Sequence, residues 1–281
     1  MREIDCKDIT QAVACLCKEA NFSLPGDVKK ALAEAANAED SPLGRTVLEK
    51  LLDNALLAEK EQLPICQDCG LTVVFIEYGQ DVRITGGSFN EAIQEGVRKA
   101  YVDGFLRKSI VRDPVFSRIN TKDNTPAVIH TEIVEGCRLK ITVLPKGGGS
   151  ENMSALAMLK PSQGVEGVKE FVVSTVEKAG SNPCPPVIVG VGIGGTADKA
   201  LALAKKALTR PLGTPNKSAE YADLEKELLK RINSLGIGPE GFGGKTTALA
   251  VHIEYFHSHI AGLPVGVCIQ CNSARLKEAI L

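Results

Sequence analysis

The residues Pro-Ile-Cys-Gln-Asp-Cys-Gly at positions 64–70 constrain the fold most, because two different sequence patterns meet there. Residues 8–62 before them have the spacing of helices, whereas Leu71–Ile76 directly after them is an apolar, β-branched run of strand length. The final glycine permits a tight turn between the two. We therefore expect a helical region over residues 1–62 and an α/β region over residues 63–281, within one domain or as two lobes.

Strand and helix patterns alternate after this turn. The strand patterns lie near residues 71–76, 127–143, 187–191 and 247–256. The helical patterns between them include residues 88–107 and 164–179. Such alternation predicts an α/β protein in which helices flank a mixed sheet.

Three local predictions concern how these segments begin, turn and end. Asp8 has the position of an N-cap for the first helix. Residues 127–144 have the pattern of a β-hairpin that turns at Glu135-Gly136. Residues 153–157 and 273–281 are expected to form short helices.

The charge pattern argues against nucleic acid or an anionic membrane as a partner. The formal net charge is −1 and lysines are interspersed with glutamates, so no basic stripe forms. No apolar run approaches the ~20 residues that a membrane-spanning helix needs. Residues 1–6 lack the pattern of a secretory signal. We expect a cytoplasmic protein that binds a small molecule.

The nine cysteines, an odd number, argue against a disulfide scaffold in a chain of this length. Some are therefore expected to be ligands or nucleophiles, and the others to be buried. Cys15 and Cys17 lie on different faces of a helical pattern, and we expect both to be structural. Cys184 lies between prolines, which exclude a helix interior and present its thiol on a stiff turn.

Two metal sites are compatible with the remaining cysteines. Two Cys-x-x-Cys pairs can make a closed four-thiolate zinc site in a binding or scaffold protein, Cys66 with Cys69 and Cys268 with Cys271. Alternatively, single cysteines from three turns can hold an iron–sulfur cluster and leave one iron without a protein ligand; these are Cys66, Cys184 and Cys271. The residue types alone leave both interpretations open.

Three glycine-rich segments resemble anion-binding loops to different degrees. Gly147–Gly149 follow Lys146 and precede a predicted helix, so their N–H groups can face a carboxylate or phosphate. Gly190–Gly195 matches the dinucleotide fingerprint, but no acidic residue follows where a ribose needs one. Gly241–Thr246 resembles a phosphate-binding P-loop, yet Pro239 occupies the position of its first glycine. A nucleotide-binding enzyme is therefore a distant alternative.

Five motifs, in order along the chain, resemble those of the α subunit, or N-terminal half, of class I fumarate hydratases and of the similar tartrate dehydratases. The motifs are Cys66–Asp68, Lys146–Asn152, Asn182–Pro186, Gly190–Thr196 and His259–Cys271. The resemblance begins near residue 10 and covers almost the whole chain. Together the motifs are far more specific than any one of them.

The resemblance implies which residues bind the cofactor and the substrate. Members of the family hold a 4Fe-4S cluster with three cysteines, which match Cys66, Cys184 and Cys271. The family's substrate contacts match Gln67, Asp68, Arg107, Gly149 and His259. Among these, Asp68 and His259 are expected to transfer protons. Two departures from the family pattern are Cys69, where threonine is more common, and Cys268.

The implied reaction is the reversible hydration of fumarate to L-malate, in which an open iron acts as a Lewis acid. A tartrate dehydratase α subunit is the first alternative, and a zinc-stabilised binding protein that uses both Cys-x-x-Cys pairs is the second. In single-chain relatives a second half supplies further substrate-binding groups, so the resemblance implies a separate β subunit for this chain. Without that subunit we expect little or no activity.

Overall fold

The structure, a computed structural model, describes residues 2–281. Its helices are α1 (Cys6–Phe22), α2 (Gly26–Ala38), α3 (Pro42–Glu61), α4 (Phe89–Asp103), α5 (Gly148–Glu151), α6 (Gly164–Ala179), α7 (Ala197–Ala207) and α8 (Ala219–Asn233), with short 3-10 helices at Pro161–Gln163 and Pro239–Gly241. Its strands are β1 (Arg2–Asp5), β2 (Leu71–Gly79), β3 (Val82–Thr85), β4 (Val128–Val134), β5 (Leu139–Lys146), β6 (Ala155–Leu159), β7 (Val187–Gly195), β8 (Ala248–Ser258), β9 (Leu263–Gln270) and β10 (Lys277–Ile280). This content confirms the predicted α/β class with a helical N-terminal region. Among residues 2–281, no helix is both long and apolar enough to cross a membrane.

The chain divides into two compact units, each built from separate stretches of sequence. Unit 1 comprises residues 2–25, 55–148 and 275–281, and unit 2 comprises residues 26–54 and 149–274. Each unit has its own hydrophobic core and its own four-stranded mixed sheet. The strands that we assigned to one sheet therefore belong to two.

In unit 1 the four-stranded sheet has the order β10-β5-β2-β4. Apolar side chains of β2 and β5 join those of α1 and α4 in one core, among them Val74, Ile76, Ile141 and Val143. The alternation of these residues along each strand sends them to the same face of the sheet. β1 and β3 form a separate two-stranded parallel sheet in the same unit.

Two helix boundaries differ from the sequence prediction. Asp5, not Asp8, is the N-cap of α1, and its Oδ1 accepts the Lys7 N–H at 2.8 Å. The helix predicted over residues 88–107 has Ser88 as its N-cap, but this helix, α4, ends at Asp103 rather than near residue 107. Its C-cap is Gly104, a residue type common where helices end.

The predicted hairpin over residues 127–144 is wrong, although both of its strands exist. β4 and β5 do not pair with each other, because β2 lies between them, parallel to β4 and antiparallel to β5. β2 is apolar on both faces, with Val73 and Val74 fully buried and Ile76 almost so. A strand of this kind is best shielded from solvent at the centre of a sheet. β2 therefore takes the place beside β5 that the hairpin prediction gave to β4, and the local sequence pattern does not reveal which strand becomes the neighbour.

The C-terminal residues 273–281 do not form the predicted helix. Lys277–Ile280 is strand β10, which pairs antiparallel with β5. The Leu281 N–H donates to Leu139 O at 2.8 Å, and the Leu139 N–H donates to Leu281 O at 3.1 Å. The pairing satisfies N–H and C=O groups of β5 that would otherwise lie at a sheet edge.

In unit 2 the sheet has the order β6-β9-β7-β8, and β7 is parallel to β8 and antiparallel to β9. Val187, Val189 and Val191 of β7 pack in one core with apolar residues of α6 and α8. Residues 153–157, predicted to be helical, instead lead into β6, which pairs antiparallel with β9. Here sheet pairing overrides the helix propensity of Ala, Leu and Met.

Two glycines of β7, Gly190 and Gly192, allow helix α7 to pack closely against the sheet. A Cβ at Gly190 would lie 2.1 Å from Ala204 O, and one at Gly192 would lie 2.0 Å from Ala200 O. A Cβ at Gly266 of β9 would also come within 2.7 Å of Ala200 O. The backbone of α7 therefore lies directly on the sheet, which only glycine permits at these positions. This packing explains the run that resembles a dinucleotide fingerprint.

The P-loop-like segment Gly241–Thr246 does hydrogen-bond to an anionic group, but this group is a side chain of unit 2 itself. The buried Glu39 carboxylate accepts the Lys245 N–H at 2.9 Å and 3.0 Å and the Thr246 N–H at 3.1 Å. Gly244 has φ +132, and a Cβ there would lie 2.7 Å from Glu39 Oε1. Burial disfavours the charge, but the hydrogen bonds from backbone N–H groups outweigh it and hold the pKa of Glu39 below its ordinary value.

We expect Gly192→Ala to lower the free energy of unfolding by about 3 kcal/mol, because the new methyl group meets backbone atoms of α7 that cannot move independently. Gly26→Ala is the matched control in the same unit, since a Cβ at Gly26 would meet nothing within 4 Å. It should change stability by less than about 1 kcal/mol. Denaturant unfolding measures both, and equal stabilities would contradict the close packing of α7.

We expect Glu39→Gln to cost about 2 kcal/mol at pH 7, because its NH₂ group would face backbone donors. A carboxylate with a lowered folded-state pKa stabilises the fold above its ordinary pKa of 4.5 and loses this contribution as the pH falls through the folded-state value. The wild type should therefore approach Glu39→Gln in stability between pH 7 and pH 3. Glu34→Gln, at an exposed side chain, should change stability by less than about 0.5 kcal/mol. A constant difference across this pH range would contradict the ionised state of Glu39.

Candidate functional site

The loop of residues 64–70 joins α3 to β2 in unit 1 and carries three predicted site residues. The Cys66 thiol is partly exposed, and its Sγ accepts the Asp68 N–H at 3.4 Å. The same thiol lies 3.5 Å from Gln67 Oε1, and the Gln67 side chain is exposed. The loop thus presents a thiol and an amide at an accessible surface of the unit.

The Asp68 carboxylate is held by two backbone N–H groups. Its Oδ1 accepts the Gly70 N–H at 2.9 Å, and its Oδ2 accepts the Gly148 N–H at 2.7 Å. The second donor belongs to the glycine loop that we predicted to bind an external anion, so this N–H already has an internal partner. The helix that follows, α5, has only four residues, too few for a substantial dipole. Asp68 has a fixed orientation, and each of its oxygens retains a further acceptor position.

Two buried residues that sequence reasoning missed hold this loop within unit 1. The Arg275 side chain is 1% exposed and donates from Nη1 to Asp68 O at 2.6 Å and to Asn21 Oδ1 at 3.0 Å. Asn21 is fully buried, and its main-chain carbonyl oxygen accepts the Ile65 N–H at 2.9 Å. The partners of Arg275 are 207 and 254 residues distant in the chain, so no local pattern distinguishes it from a surface arginine.

Cys69, the departure from the family pattern, belongs to the hydrophobic core of unit 1. Its thiol accepts the Arg107 N–H at 3.2 Å, and burial raises its pKa. The Arg107 side chain is exposed in the loop after α4. Cys69 therefore anchors the backbone that carries Arg107.

In unit 2 the turns that carry Cys184 and Cys271 lie side by side. The Asn272 N–H donates to Cys184 O at 3.1 Å, and Asn272 Nδ2 donates to the same oxygen at 2.9 Å. Cys184 is exposed and Cys271 partly exposed. Gly149 lies against the same region, since a Cβ there would be 3.0 Å from Asn182 O. Three predicted site residues are thus neighbours in this unit.

Cys268, unlike Cys184 and Cys271, is buried. It is 1% exposed on β9, and its Sγ is 3.9 Å from Leu201 O of α7. Cys271 follows the end of β9 and remains partly exposed. Because Cys268 is directed into the packing between β9 and α7, the structure does not support the four-thiolate zinc site that would require it.

His259 lies in the turn between β8 and β9 and is exposed. Its Nδ1 accepts the Ala261 N–H at 3.1 Å, so a neutral ring carries its proton on Nε2. His252, in contrast, is buried in β8 with Nδ1 3.2 Å from Ala207 O. Burial, together with the nearby Arg210 charge, lowers the pKa of His252 to about 4. His252 is therefore a neutral structural residue.

The three predicted cysteine ligands belong to both units, Cys66 to unit 1 and Cys184 and Cys271 to unit 2. Within the described residues, neither unit contains a group of three or more His, Cys, Asp or Glu side chains that could hold a metal ion. The chemistry of the donor set nevertheless fits an iron–sulfur cluster. None of the nine cysteines forms a disulfide, and these three thiols are accessible. Cysteine thiolates are the usual protein ligands of such clusters.

We expect Arg275→Met to lower the free energy of unfolding by about 3 kcal/mol, because it leaves the buried Asn21 side chain and Asp68 carbonyl without a donor. Arg83→Met is the control in the same unit, where the arginine side chain is 64% exposed. It should change stability by less than about 0.5 kcal/mol. Denaturant unfolding compares them, and an equally small effect of Arg275→Met would show that Arg275 does not hold the loop.

Almost the whole chain is similar in sequence to known proteins. A sequence profile of the family described as "Fumarate hydratase (Fumerase)" matches residues 10–280. The chain is 48% identical over 269 residues, 94% of either length, to a Methanocaldococcus jannaschii protein provisionally named L(+)-tartrate dehydratase subunit alpha. It is 33% identical over 267 residues to the L(+)-tartrate dehydratase subunit alpha of Escherichia coli K12, covering 94% of this chain and 87% of that protein. The resemblance carried by the motifs is confirmed, and the chain belongs to the fumarate hydratase (Fumerase) family.

Proposed function

We propose that this chain is the α subunit of an iron–sulfur hydro-lyase that hydrates fumarate reversibly to L-malate. The observation that carries the proposal is the pairing of the accessible Cys184 and Cys271 turns in unit 2. Membership of the fumarate hydratase family supports a hydro-lyase. A tartrate dehydratase α subunit is the second candidate, favoured by the names of the two relatives.

Cys66, Cys184 and Cys271 are proposed to hold a 4Fe-4S cluster. When bound, a cluster with one iron free of protein ligands supplies a Lewis acid for the hydroxyl group of the substrate. The accessibility of the three thiols supports this assignment. The burial of Cys69 and Cys268 argues against either as a fourth ligand.

Proton transfer is assigned to Asp68 and His259. The Asp68 carboxylate is oriented by two backbone N–H groups and retains acceptor positions for a substrate proton. Since His259 Nδ1 accepts the Ala261 N–H, its Nε2 holds the exchangeable proton of the neutral ring. One residue thus offers an acceptor and the other a donor, as the addition of water to a double bond requires.

Gln67, Arg107 and Gly149 are proposed to bind the carboxylate groups of the substrate. Negative charge develops next to a carboxylate during this reaction, so fixed positive groups and N–H donors stabilise it. The exposed Arg107 guanidinium extends from a backbone that the Cys69 thiol fixes. Gln67 is exposed beside Cys66, and Gly149 adds no side chain to the region near the Cys184 turn.

A separate β subunit is the proposed partner, because the relatives are named as alpha subunits. It would supply further groups that bind the dicarboxylate. The chain alone should therefore show little or no hydro-lyase activity, and co-expression with its β subunit should restore it. Full activity of the chain alone would reject the two-subunit assignment.

Anaerobic reconstitution with iron and sulfide tests the proposed ligands. The wild-type chain should bind about four irons and four sulfides, and Cys66→Ser, Cys184→Ser and Cys271→Ser should each retain less than about half of this iron. Cys137→Ser, at an exposed cysteine outside the proposed site, is the matched control and should equal wild type.

Assays of the co-expressed complex on fumarate and on L(+)-tartrate then decide the substrate. Failure on both would reject the proposed substrate class. Iron content unchanged by Cys184→Ser would contradict the ligand assignment. A colourless protein with one bound zinc would support a zinc-stabilised binding protein instead.

A further inference from the structure

A closed hydrogen-bond network in unit 2 joins the Cys184 turn to the turn that carries Cys271. Asn272 donates to Cys184 O from its backbone N–H at 3.1 Å and from Nδ2 at 2.9 Å. Asn272 Nδ2 also donates to Glu240 Oε1, and the Cys184 thiol donates to the Glu240 carboxylate. The Glu240 N–H donates to Pro185 O at 2.7 Å. Each of the three segments therefore contacts the other two.

Two residues of this network have left-handed backbone conformations although neither is glycine. Cys184 has φ +54 and Glu240 has φ +51. Residues with side chains rarely adopt this conformation, and it persists only where the surrounding structure holds it. Asn272 is 6% exposed, so water does not easily replace its hydrogen bonds. The network holds Cys184 in a conformation that an isolated turn would not retain.

We propose that Asn272 and Glu240 are positioning residues that keep the Cys184 and Cys271 thiols at a constant spacing for the iron–sulfur cluster. The inference rests on the proposed function. Neither side chain is assigned as a ligand, since the Asn272 amide donates to Cys184 O and the Glu240 carboxylate accepts from Asn272. Groups behind the direct ligands of a metal orient those ligands, and their loss commonly lowers metal affinity about 10- to 100-fold.

The test measures how fast the reconstituted full chain releases iron to a chelator, followed by the absorbance of the cluster. Asn272→Ala and Glu240→Ala should release iron about tenfold faster than wild type. Glu240→Gln keeps an acceptor oxygen for Asn272 and should stay within about twofold of wild type. The melting temperatures of the cluster-free variants separate this role from one in stability alone.

Asn216→Ala is the matched control. Asn216 Nδ2 donates to Ile253 O at 2.7 Å, and its Oδ1 accepts the Ser218 N–H at 2.9 Å. Ile253 pairs with Val191, seven residues beyond Cys184 in the chain. This variant therefore removes a similar set of hydrogen bonds from the same unit but at a distance from the cysteine turns. Thermal melting of the cluster-free proteins gives the stability lost by each variant.

We expect both asparagine variants to melt at lower temperature and only Asn272→Ala to release iron faster. Equal release from Asn272→Ala and Asn216→Ala, or from Glu240→Gln and Glu240→Ala, would overturn the inference. A wild-type chain that takes up no iron and sulfide would reject the proposed function and this role with it. Uptake by the wild type, with unchanged release from Asn272→Ala, would reject the positioning role alone.

Discussion

The hydrogen bonding of a carboxylate by backbone N–H groups of a glycine-rich turn is the interaction on which both units depend. In unit 2 the buried Glu39 receives N–H groups from the segment Gly241–Thr246. In unit 1 Asp68 receives those of Gly70 and Gly148. Glu39 is withdrawn from water, and such donors replace the water and hold its pKa below the ordinary value. Each carboxylate therefore determines the conformation of the loop around it, and two segments that resemble sites for external anions have internal ones.

A similar division between internal and accessible groups separates the cysteines. Cys69 packs in the core of unit 1, and Cys268 packs under α7 in unit 2. Their thiols contribute to packing and to the anchoring of neighbouring backbone. Cys66, Cys184 and Cys271 instead remain accessible on turns that other side chains hold in place. Fixed turns with accessible thiols are suited to metal binding, because the ligands need little rearrangement.

The type of each long segment could be predicted from its sequence, but its partners could not. The apolar run at 71–76 and the helix that follows Ser88 are found where local patterns place them. The order of β2, β4 and β5 depends instead on which strand gains most from central burial, a comparison between distant segments. The short strands at 155–159 and 277–280 contain good helix formers, and only pairing with β9 and β5 makes them strands.

The sequence by itself determined the α/β class and the family, and it suggested the residues that we propose for metal and substrate binding. Local context was sufficient for these, since prolines around Cys184 and polar residues around Cys66 are adjacent in the chain. Only the tertiary structure decided which side chains hold those turns, namely Arg275, Asn272 and Glu240. Their hydrogen bonds join residues 32 to 254 positions apart. Such bonds form only after folding has brought distant residues together, so they leave no local pattern in the sequence.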